Sequence, residues 1–357
     1  MVLIWHCTKI PIGSKRFLTN SCLSKGGLSG NSPGGPRFQK DHPMRDSSII
    51  QRKNLTAGAL AKRDTLESYL MIAPLLIGFT LFTIYPMIWL IRWSWFRYDG
   101  MSSPRFIGIE NFIRAFGRDK NYWRALLNTF IITGGKICIE IPLALFLAVV
   151  LSGKKRVNAF FRAIFFSPSI VSTAVVGIVF FLMFDPFNGS VNLILKHLHL
   201  IERNINWFGG KFTADLVIVL ASVWRGFGIN MIFFIMGLQN IPPEIYECAS
   251  LDGVNSWSRF TKITMPMLAP VFKVVMMLFI VNAMKISDLV LVLTNGQPGG
   301  ATEVVMSYTF KYFFSYGNAD AIRQYGYSSA IAIITAIIIG LIVGTFFKLT
   351  KKVGDYY

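Results

Sequence analysis

The 357-residue chain is 53% hydrophobic and only 15% charged, and its mean hydropathy is +0.50. A soluble globular chain carries about 25% charged residues, so this composition excludes an ordinary soluble domain and indicates a polytopic membrane protein. The net charge of +18 does not indicate nucleic-acid binding, because the basic residues are scattered over loops and chain ends. We therefore expect a lipid bilayer, and no nucleic acid, among its partners.

Residues 1–65 predict a disordered basic N-terminal tail. They are rich in Ser, Gly, Lys and Arg, and such a composition cannot bury enough apolar surface to fold alone. The absence of any acidic residue before Asp41 is also seen in organellar transit peptides. Two simpler interpretations are favoured and stay open: a cytoplasmic tail, or an extension translated upstream of a start such as Met44.

Six apolar segments follow. Each is about 20 residues long, which is the length that a helix needs to cross the hydrocarbon. The first, third and sixth contain no charged residue. They predict an all-α membrane domain of six transmembrane helices over residues 66–350, with residues 351–357 as a short tail. The segments are Tyr69–Ile91, Leu126–Leu151, Ala163–Phe184, Leu216–Leu238, Met267–Leu293 and Tyr327–Phe347.

The distribution of Lys and Arg predicts the orientation of these helices. Of the 36 basic residues, 20 lie on the same side as the N-terminus and 12 lie on the opposite side. Because cytoplasmic segments carry the excess of Lys and Arg, both termini are predicted to be cytoplasmic.

The loop between the fourth and fifth segments begins with a predicted short helix. Pro242-Pro243 stop the preceding helix, and Glu244 and Glu247 follow in a first turn, where carboxylates oppose the positive helix terminus. Ile245 and Ala249 form an apolar face at helical spacing. This loop is therefore predicted to be folded and not extended.

A second short helix is predicted in the same loop. Asp252-Gly253 break the first helix, and Ser256 can cap a helix that runs from Trp257 to Thr264 and ends at Pro266. Two short helices that meet at a glycine on the surface of a membrane protein predict a docking surface for another protein.

The order Glu247-Cys248-Ala249, then Gly253, then Ile263-Thr264-Met265-Pro266 resembles the EAA loop of ABC-importer permeases. Cys248 departs from the family, which usually has alanine there, but it is also small. The resemblance implies that residues 241–266 form the coupling loop that seats in a groove of a cytoplasmic ATPase. The coupling residues implied are Glu244, Glu247, Cys248, Ala249, Asp252, Gly253, Ile263 and Pro266.

Two further stretches resemble the sugar group of these permeases, typified by the maltose and glycerol-phosphate permeases. Arg105–Phe112 is similar to its F-x-G-hydrophobic-E-N-aromatic segment. Ser287–Phe310, followed by Tyr325–Ala330, is similar to the end of its fifth span and the start of its sixth. The resemblance extends over nearly all of Tyr69–Lys352.

Charged side chains inside the apolar segments are the candidate functional residues, because charges at membrane depth usually face a bundle interior or an aqueous path. Lys136 and Glu140 stand at i and i+4 and are interpreted first as a structural pair. Lys285 and Asp288 can pair similarly at i and i+3.

Arg225 has no charge partner nearby in sequence, and an aromatic next to a hydrogen-bonding side chain suits a sugar. Gly226 and Gly228 beside it can either loosen the helix or permit close packing. The alternative to a substrate path is that these residues stabilise helix contacts, or that a partner permease alone holds the sugar. The candidate path residues are Trp224, Arg225, Asn230, Asn282, Lys285 and Asp288.

The resemblance implies the type I ABC-importer permease fold and a location in the bacterial plasma (inner) membrane. It implies four partners: a second homologous permease, a cytoplasmic ABC ATPase dimer, an extracytoplasmic solute-binding protein and a sugar. The chain has no G-x-x-x-x-G-K-[ST] loop. No cofactor is therefore expected in this chain, and ATP and Mg are expected on the partner ATPase.

A secondary transporter that works without an ATPase is the alternative from another class. It predicts inverted repeats and a coupling carboxylate at the midplane, and the sequence shows no repeat. An enzyme is not expected, because no histidine lies in any apolar segment and no Ser/Lys or paired-Asp arrangement stands out. The four cysteines and four histidines lack the spacings of a metal site, so the predicted catalytic and metal-ligating sets are empty.

Overall fold

The computed structural model describes residues 68–153, 155–314 and 323–350, and these ranges are mostly helical. The described residues from 72 onward belong to one compact unit, and residues 68–71 are assigned to a second. The predictions for the tails at 1–65 and 351–357 concern residues outside the described ones.

The described part of the chain contains long apolar helices, shorter connecting helices and one β-hairpin. The hairpin pairs two strands antiparallel, with Phe96 opposite Phe106 and Arg97 opposite Arg105. The described ranges contain three π-helical turns: Thr80–Ile84 within α1, Arg114–Arg118 directly after α2, and Phe260–Thr264 within α9. The elements are α1 Ser68–Trp93, β1 Phe96–Arg97, β2 Arg105–Phe106, α2 Glu110–Ile113, α3 Lys120–Leu151, α4 Arg156–Ile170, α5 Thr173–Met183, α6 Ser190–His197, α7 Lys211–Gln239, α8 Pro243–Leu251, α9 Ser256–Met284, α10 Asp288–Leu293, α11 Val305–Phe314 and α12 Tyr325–Thr350.

Five helices in the described ranges are long and apolar enough to cross a membrane: α1, α3, α7, α9 and α12. The third predicted segment, Ala163–Phe184, is not one continuous helix. It falls on α4 and α5, which are bent by 93° at the break between them, and the two count as a sixth crossing only if they are taken together. The bundle therefore has five or six candidate spans by length and composition.

The break between α4 and α5 has a local cause. Pro168 lies in the last turn of α4 and has no N–H to donate, and Val171 and Ser172 both have extended backbone with ψ of 137°. A proline weakens the helix around it, and the apolar run Ala163–Phe184 carries no charge that marks the change of direction. Hydropathy alone therefore predicts one continuous span for such a run.

The predicted fifth segment, Met267–Leu293, is also interrupted. Helix α9 ends at Met284, and α10 begins at Asp288 after the non-helical Lys285–Ser287. The apolar residues continue beyond Met284, but the polar stretch between them ends the helix.

Helix α7 lies at the centre of the bundle. Half of its apolar window is buried, and it packs against α3, α4 and α9. Gly228 permits the contact with α4, because a Cβ there would lie 3.0 Å from Phe166 Cα and closer still to the Phe165 carbonyl oxygen. Of the two roles open for Gly226 and Gly228, close packing is confirmed, since α7 continues unbroken through both.

Candidate functional site

The loop after α7 is folded, as predicted, and its two helices meet at a glycine. Helix α8 ends in a Schellman motif, in which the N–H of Val254 donates to the Ala249 carbonyl at 3.1 Å and the N–H of Gly253 donates to the Ser250 carbonyl at 3.2 Å. Gly253 has a φ of +68°, which only glycine adopts without strain. Asp252-Gly253, which were predicted to break the first helix of the loop, therefore form the end of α8 in the structure.

The second helix of the loop differs from the prediction at both ends. Asn255, and not Ser256, caps it, because the Asn255 side chain accepts a hydrogen bond from the N–H of Ser258 at 2.8 Å. Pro266 does not end it, since α9 continues to Met284. The π turn Phe260–Thr264 ends two residues before Pro266, and such local adjustments help a membrane helix to tolerate a missing N–H.

The outer surface of this loop combines carboxylates with two large apolar side chains. Leu251 is 88% exposed and Trp257 is 72% exposed. Exposed apolar groups rimmed by polar ones are typical of protein interaction sites. Among the predicted coupling residues, Ala249 is buried and Ile263 is half-buried, while the exposed ones are Glu244, Glu247, Cys248, Asp252, Gly253 and Pro266.

A cavity of about 520 Å³ brings together most of the predicted path residues. Trp224 does not line it; its ring packs instead against Phe180, with the ring centroids 5.8 Å apart. The predicted residues that do line the cavity are Arg225, Asn230, Asn282, Lys285 and Asp288.

Arg225 faces both the cavity and the break between α4 and α5. Its Nε donates to the Val171 carbonyl at 3.3 Å, and Ser169 and Thr173, on either side of the break, line the same cavity. Irregular backbone at membrane depth is tolerated where it is buried in protein or lines a cavity. Arg225, the only arginine within the six predicted apolar segments, therefore donates a hydrogen bond to the interrupted helix.

Glu140, which was interpreted from the sequence as one half of a structural ion pair with Lys136, lines the same cavity. Lys136 Nζ is 3.8 Å from Glu140 Oε2, as expected for an i, i+4 pair, and Asn230 Nδ2 donates to Glu140 Oε1 at 2.7 Å. Gly226 leaves room for the carboxylate, since a Cβ there would lie 2.9 Å from Glu140 Cδ. Glu140 and Gly226 are 86 residues apart in the sequence, so no local pattern predicts their contact.

The predicted pair of Lys285 and Asp288 is not formed. The two residues flank the break between α9 and α10, and within the described ranges no ion pair joins them. Asp288 instead accepts a hydrogen bond from Ser287 Oγ at 2.9 Å. In the same ranges no group of three or more His, Cys, Asp or Glu side chains could hold a metal ion.

The Arg105–Phe112 motif folds the hairpin onto the end of α1. Asn111 is buried, and its Nδ2 donates to the carbonyls of Ser94 at 2.9 Å and Phe96 at 3.0 Å. Glu110 pairs with Arg97 at 3.3 Å. The E-N pair of the motif thus has a structural role in this chain.

A second cavity of about 520 Å³ lies beside the hairpin. Its lining includes Asp99, whose carboxylate accepts hydrogen bonds from the N–H and Oγ of Ser102 and from the N–H of Met101. These bonds, chiefly those from Ser102, lower the pKa of Asp99 to about 2. The group is therefore ionised throughout the physiological range, and local hydrogen bonds hold its turn.

Comparisons with known proteins agree with the resemblance to ABC-importer permeases seen in the sequence. Residues 140–352 match the family described as binding-protein-dependent transport system inner membrane component. The chain is 32% identical over 289 residues to the probable ABC transporter permease protein YesP of Bacillus subtilis, covering 80% of this chain and 91% of YesP. It is 32% identical over 274 residues to the arabinooligosaccharides transport system permease protein AraP of the same organism, covering 76% of this chain and 84% of AraP.

The fold is similar to that of a bacterial ABC transporter involved in the import of the acidic polysaccharide alginate. The TM-score is 0.72 at 21% identity, over 84% of this chain and 100% of the other chain. The family match covers more than half of the chain and includes α7, the folded loop and α9. The chain therefore belongs to the binding-protein-dependent transport system inner membrane components: it is a multi-pass ABC transporter permease of the inner membrane, and not an enzyme.

Proposed function

We propose that the chain forms, with a second homologous permease, the transmembrane path of an ATP-driven carbohydrate importer. The name of AraP, a relative 32% identical, supports carbohydrate as the substrate class. The polar cavity lined by Arg225, Asn230 and Asn282 suits a hydroxyl-rich ligand, because each of these side chains offers hydrogen bonds in an otherwise apolar bundle. An extracytoplasmic solute-binding protein delivers the sugar to this path.

The proposed membrane domain is residues 66–350, with six crossings and both termini cytoplasmic. In this arrangement the bent pair α4–α5 forms the third crossing. Residues 1–65 and 351–357 are then cytoplasmic tails. The loop at 241–266 faces the cytoplasm, where an ATPase dimer that binds ATP and Mg can reach it.

The observation that carries the coupling proposal is the exposed face of the loop. Glu244 and Glu247 project from a helix whose other side buries Ala249, and the loop is closed by the Schellman motif at Gly253. A rigid element with exposed carboxylates and exposed Leu251 and Trp257 can transmit movement from a bound ATPase to α7 and α9, which it joins. Closure of the ATPase dimer would then tilt the helices and open the cavity.

A secondary transporter is disfavoured, because family membership places the chain among transport systems that depend on a binding protein and belong to the ABC class.

The remaining question for function is which carbohydrate is carried. Arabinotriose and maltotriose are suitable first probes, since they differ in ring size and hydroxyl arrangement.

The proposal is tested by uptake of labelled arabinotriose and maltotriose into proteoliposomes that contain both permeases and the ATPase, with the binding protein outside. We expect uptake to require ATP and to be abolished by Glu247→Arg, which leaves the chain inserted. Glu202→Arg is the matched control, because it reverses an exposed carboxylate in the loop between α6 and α7. Uptake without the ATPase, or normal ATPase stimulation in Glu247→Arg, would contradict the proposal.

A further inference from the structure

The cavity beside the β-hairpin has an excess of positive charge in its lining. Its charged residues are four arginines and two carboxylates: Arg97, Arg114, Arg118, Arg323, Asp99 and Glu110. Glu110 pairs with Arg97, and Asp99 accepts three hydrogen bonds within its own turn. Within the described ranges the other three arginines form no ion pair. The cavity therefore suits an anionic ligand.

The cavity lies where three candidate membrane spans end. The hairpin follows α1 directly, Asp119 caps the start of α3, and Tyr327 lies in the first turn of α12. Hydrogen bonds join these ends, since the Tyr327 hydroxyl donates to Asp119 and the N–H of Gly326 donates to the Tyr98 carbonyl at 3.2 Å. A cavity at the common end of several spans lies at the level of the lipid headgroups, on whichever side of the membrane it faces.

Arg114 presents its guanidinium to the cavity in a fixed position. Its Nη1 donates to Gln324 Oε1 at 2.6 Å, and its guanidinium carbon lies 3.9 Å from the centroid of the Tyr327 ring. Arginine carries five N–H donors, and within the described residues only one of them has a partner here. The remaining donors are available to an anion, and the stacked side chain loses little freedom when it binds one.

Arg118 adds a second guanidinium on the same cavity. The π turn Arg114–Arg118 begins and ends with the two arginines, and both line the cavity. Residues four apart on a helical turn are neighbours, and π turns are frequent at functional sites. Arg118 is exposed. Because guanidinium groups bind phosphate oxygens through paired hydrogen bonds, two of them beside one cavity favour a phosphate group as the anion.

Aromatic rings continue from the cavity along α1. The ring of Tyr98, which lines the cavity, stacks on Trp93 with the centroids 4.3 Å apart, and Trp93 packs against Trp89 at 5.7 Å. Within the described part of the chain, none of the apolar window of α1 is buried. Trp and Tyr are typical of the membrane interface, where one end of the side chain is apolar and the other is wet. These rings offer an apolar surface for acyl chains below the basic cavity.

We propose that this cavity binds the headgroup phosphate of an anionic phospholipid of the phosphatidylglycerol class. Arg114 and Arg118 hold the phosphate oxygens, and the acyl chains lie along Trp93 and Trp89. The positive lining favours this class over phosphatidylethanolamine, whose ammonium group compensates its phosphate. Basic pockets between membrane helices are typical sites for acidic lipid headgroups. The site is separate from the cavity beside Arg225, and it does not depend on which solute is carried.

Arg118→Gln is the sharpest test of the lipid site. Arg118 makes no hydrogen bond or ion pair within the described residues, so its replacement is expected to leave the level of inserted protein unchanged. Arg203→Gln is the matched control, because Arg203 is also exposed but lies in the loop between α6 and α7 and does not line the cavity. Arg118→Lys keeps the charge without the forked donors.

The measurement is native mass spectrometry of the full-length chain, purified with its partner subunits in detergent and titrated with phosphatidylglycerol or phosphatidylethanolamine. We expect the wild type to bind phosphatidylglycerol about fivefold more tightly, the effect of one unit of charge near a basic site. Arg118→Gln is expected to weaken phosphatidylglycerol binding about tenfold, as for one lost hydrogen bond to a charged group. Arg118→Lys should lose less, and Arg203→Gln should equal wild type.

The outcomes distinguish a lipid site from the other possible occupants of the cavity. Equal affinity for the two lipids in wild type, or unchanged phosphatidylglycerol affinity in Arg118→Gln, would overturn the proposal. If inorganic phosphate alone raised the Tm of the wild type as much as phosphatidylglycerol did, the cavity would bind a soluble anion and the lipid site would be refuted. Normal lipid binding in Arg118→Gln with weakened attachment of the solute-binding protein would assign the cavity to protein docking and refute it equally.

Discussion

The energetic cost of replacing Gly253 can be worked out from its backbone geometry. Its φ is +68°, and an added Cβ would meet nothing within 4 Å. Any cost of Gly253→Ala is therefore conformational, and a residue with a Cβ loses about 1 kcal/mol in the left-handed region. A β-branched valine loses about 2 kcal/mol, whereas asparagine tolerates this region better than other residues.

These costs act on the turn that joins α8 to α9. Each 1.4 kcal/mol changes an equilibrium constant tenfold, so alanine lowers the equilibrium constant for the closed turn about fivefold and valine lowers it about 30-fold. If the closed turn transmits movement from the ATPase, uptake and ATPase stimulation should fall in the order Gly, Asn, Ala, Val. The amount of chain in the membrane should stay constant.

Gly299→Val is the matched control for this series. Gly299 also is exposed, has a positive φ of +56° and would meet nothing within 4 Å, but it lies outside the 241–266 loop. We expect it to leave ATPase stimulation at the wild-type level. Wild-type uptake in Gly253→Val, or equal loss in Gly299→Val, would refute a role for the turn in coupling.

Three further substitutions test other parts of the bundle. Arg225→Ala removes the donor to the Val171 carbonyl and is expected to lower sugar uptake while basal ATPase activity is unchanged; normal uptake of every transported sugar would leave Arg225 with a structural role only. Asn111→Ala leaves two carbonyls without their donor and is expected to lower the free energy of unfolding by about 2 kcal/mol, measured by thermal unfolding in detergent. Gly228→Val would collide with the backbone of α4 and is expected to prevent folding, whereas Gly344→Val, where a Cβ meets nothing within 4 Å, should not.

The sequence predicted the ABC permease assignment and the folded loop, and the reason is that both depend on local signals. Pro242-Pro243 and Asp252-Gly253 are helix boundaries that any chain context respects, and the helix α8 lies between them. The prediction of Pro266 as a stop was wrong for a related reason. A proline is a local signal too, but in a membrane helix the backbone adjusts around it, here with a preceding π turn.

The cavity was only partly predictable, because charge inside an apolar segment is visible in sequence but its neighbours are not. Arg225 and Asn230 were found by their chemistry alone. Ser222, which also lines the cavity, was missed because a serine in a membrane helix has no distinctive pattern, and Glu140 was explained by Lys136 one turn away. The link between Glu140 and Gly226 joins α3 to α7, and only the tertiary contact shows that this glycine makes room for a carboxylate.

One face of α7 connects these observations. Ser222, Arg225, Gly226, Ile229 and Asn230 all line the cavity, and their spacing of three and four residues places them on a single stripe. The opposite face carries buried apolar residues of the core, so the helix is amphipathic inside a bundle that is otherwise apolar. Because Arg225 on this stripe contacts the break between α4 and α5, and Gly226 packs against Glu140 of α3, a rotation of α7 would change the break and the carboxylate together. The loop at 241–266 continues directly from the end of α7, and movement applied to that loop therefore reaches the cavity through one rigid helix.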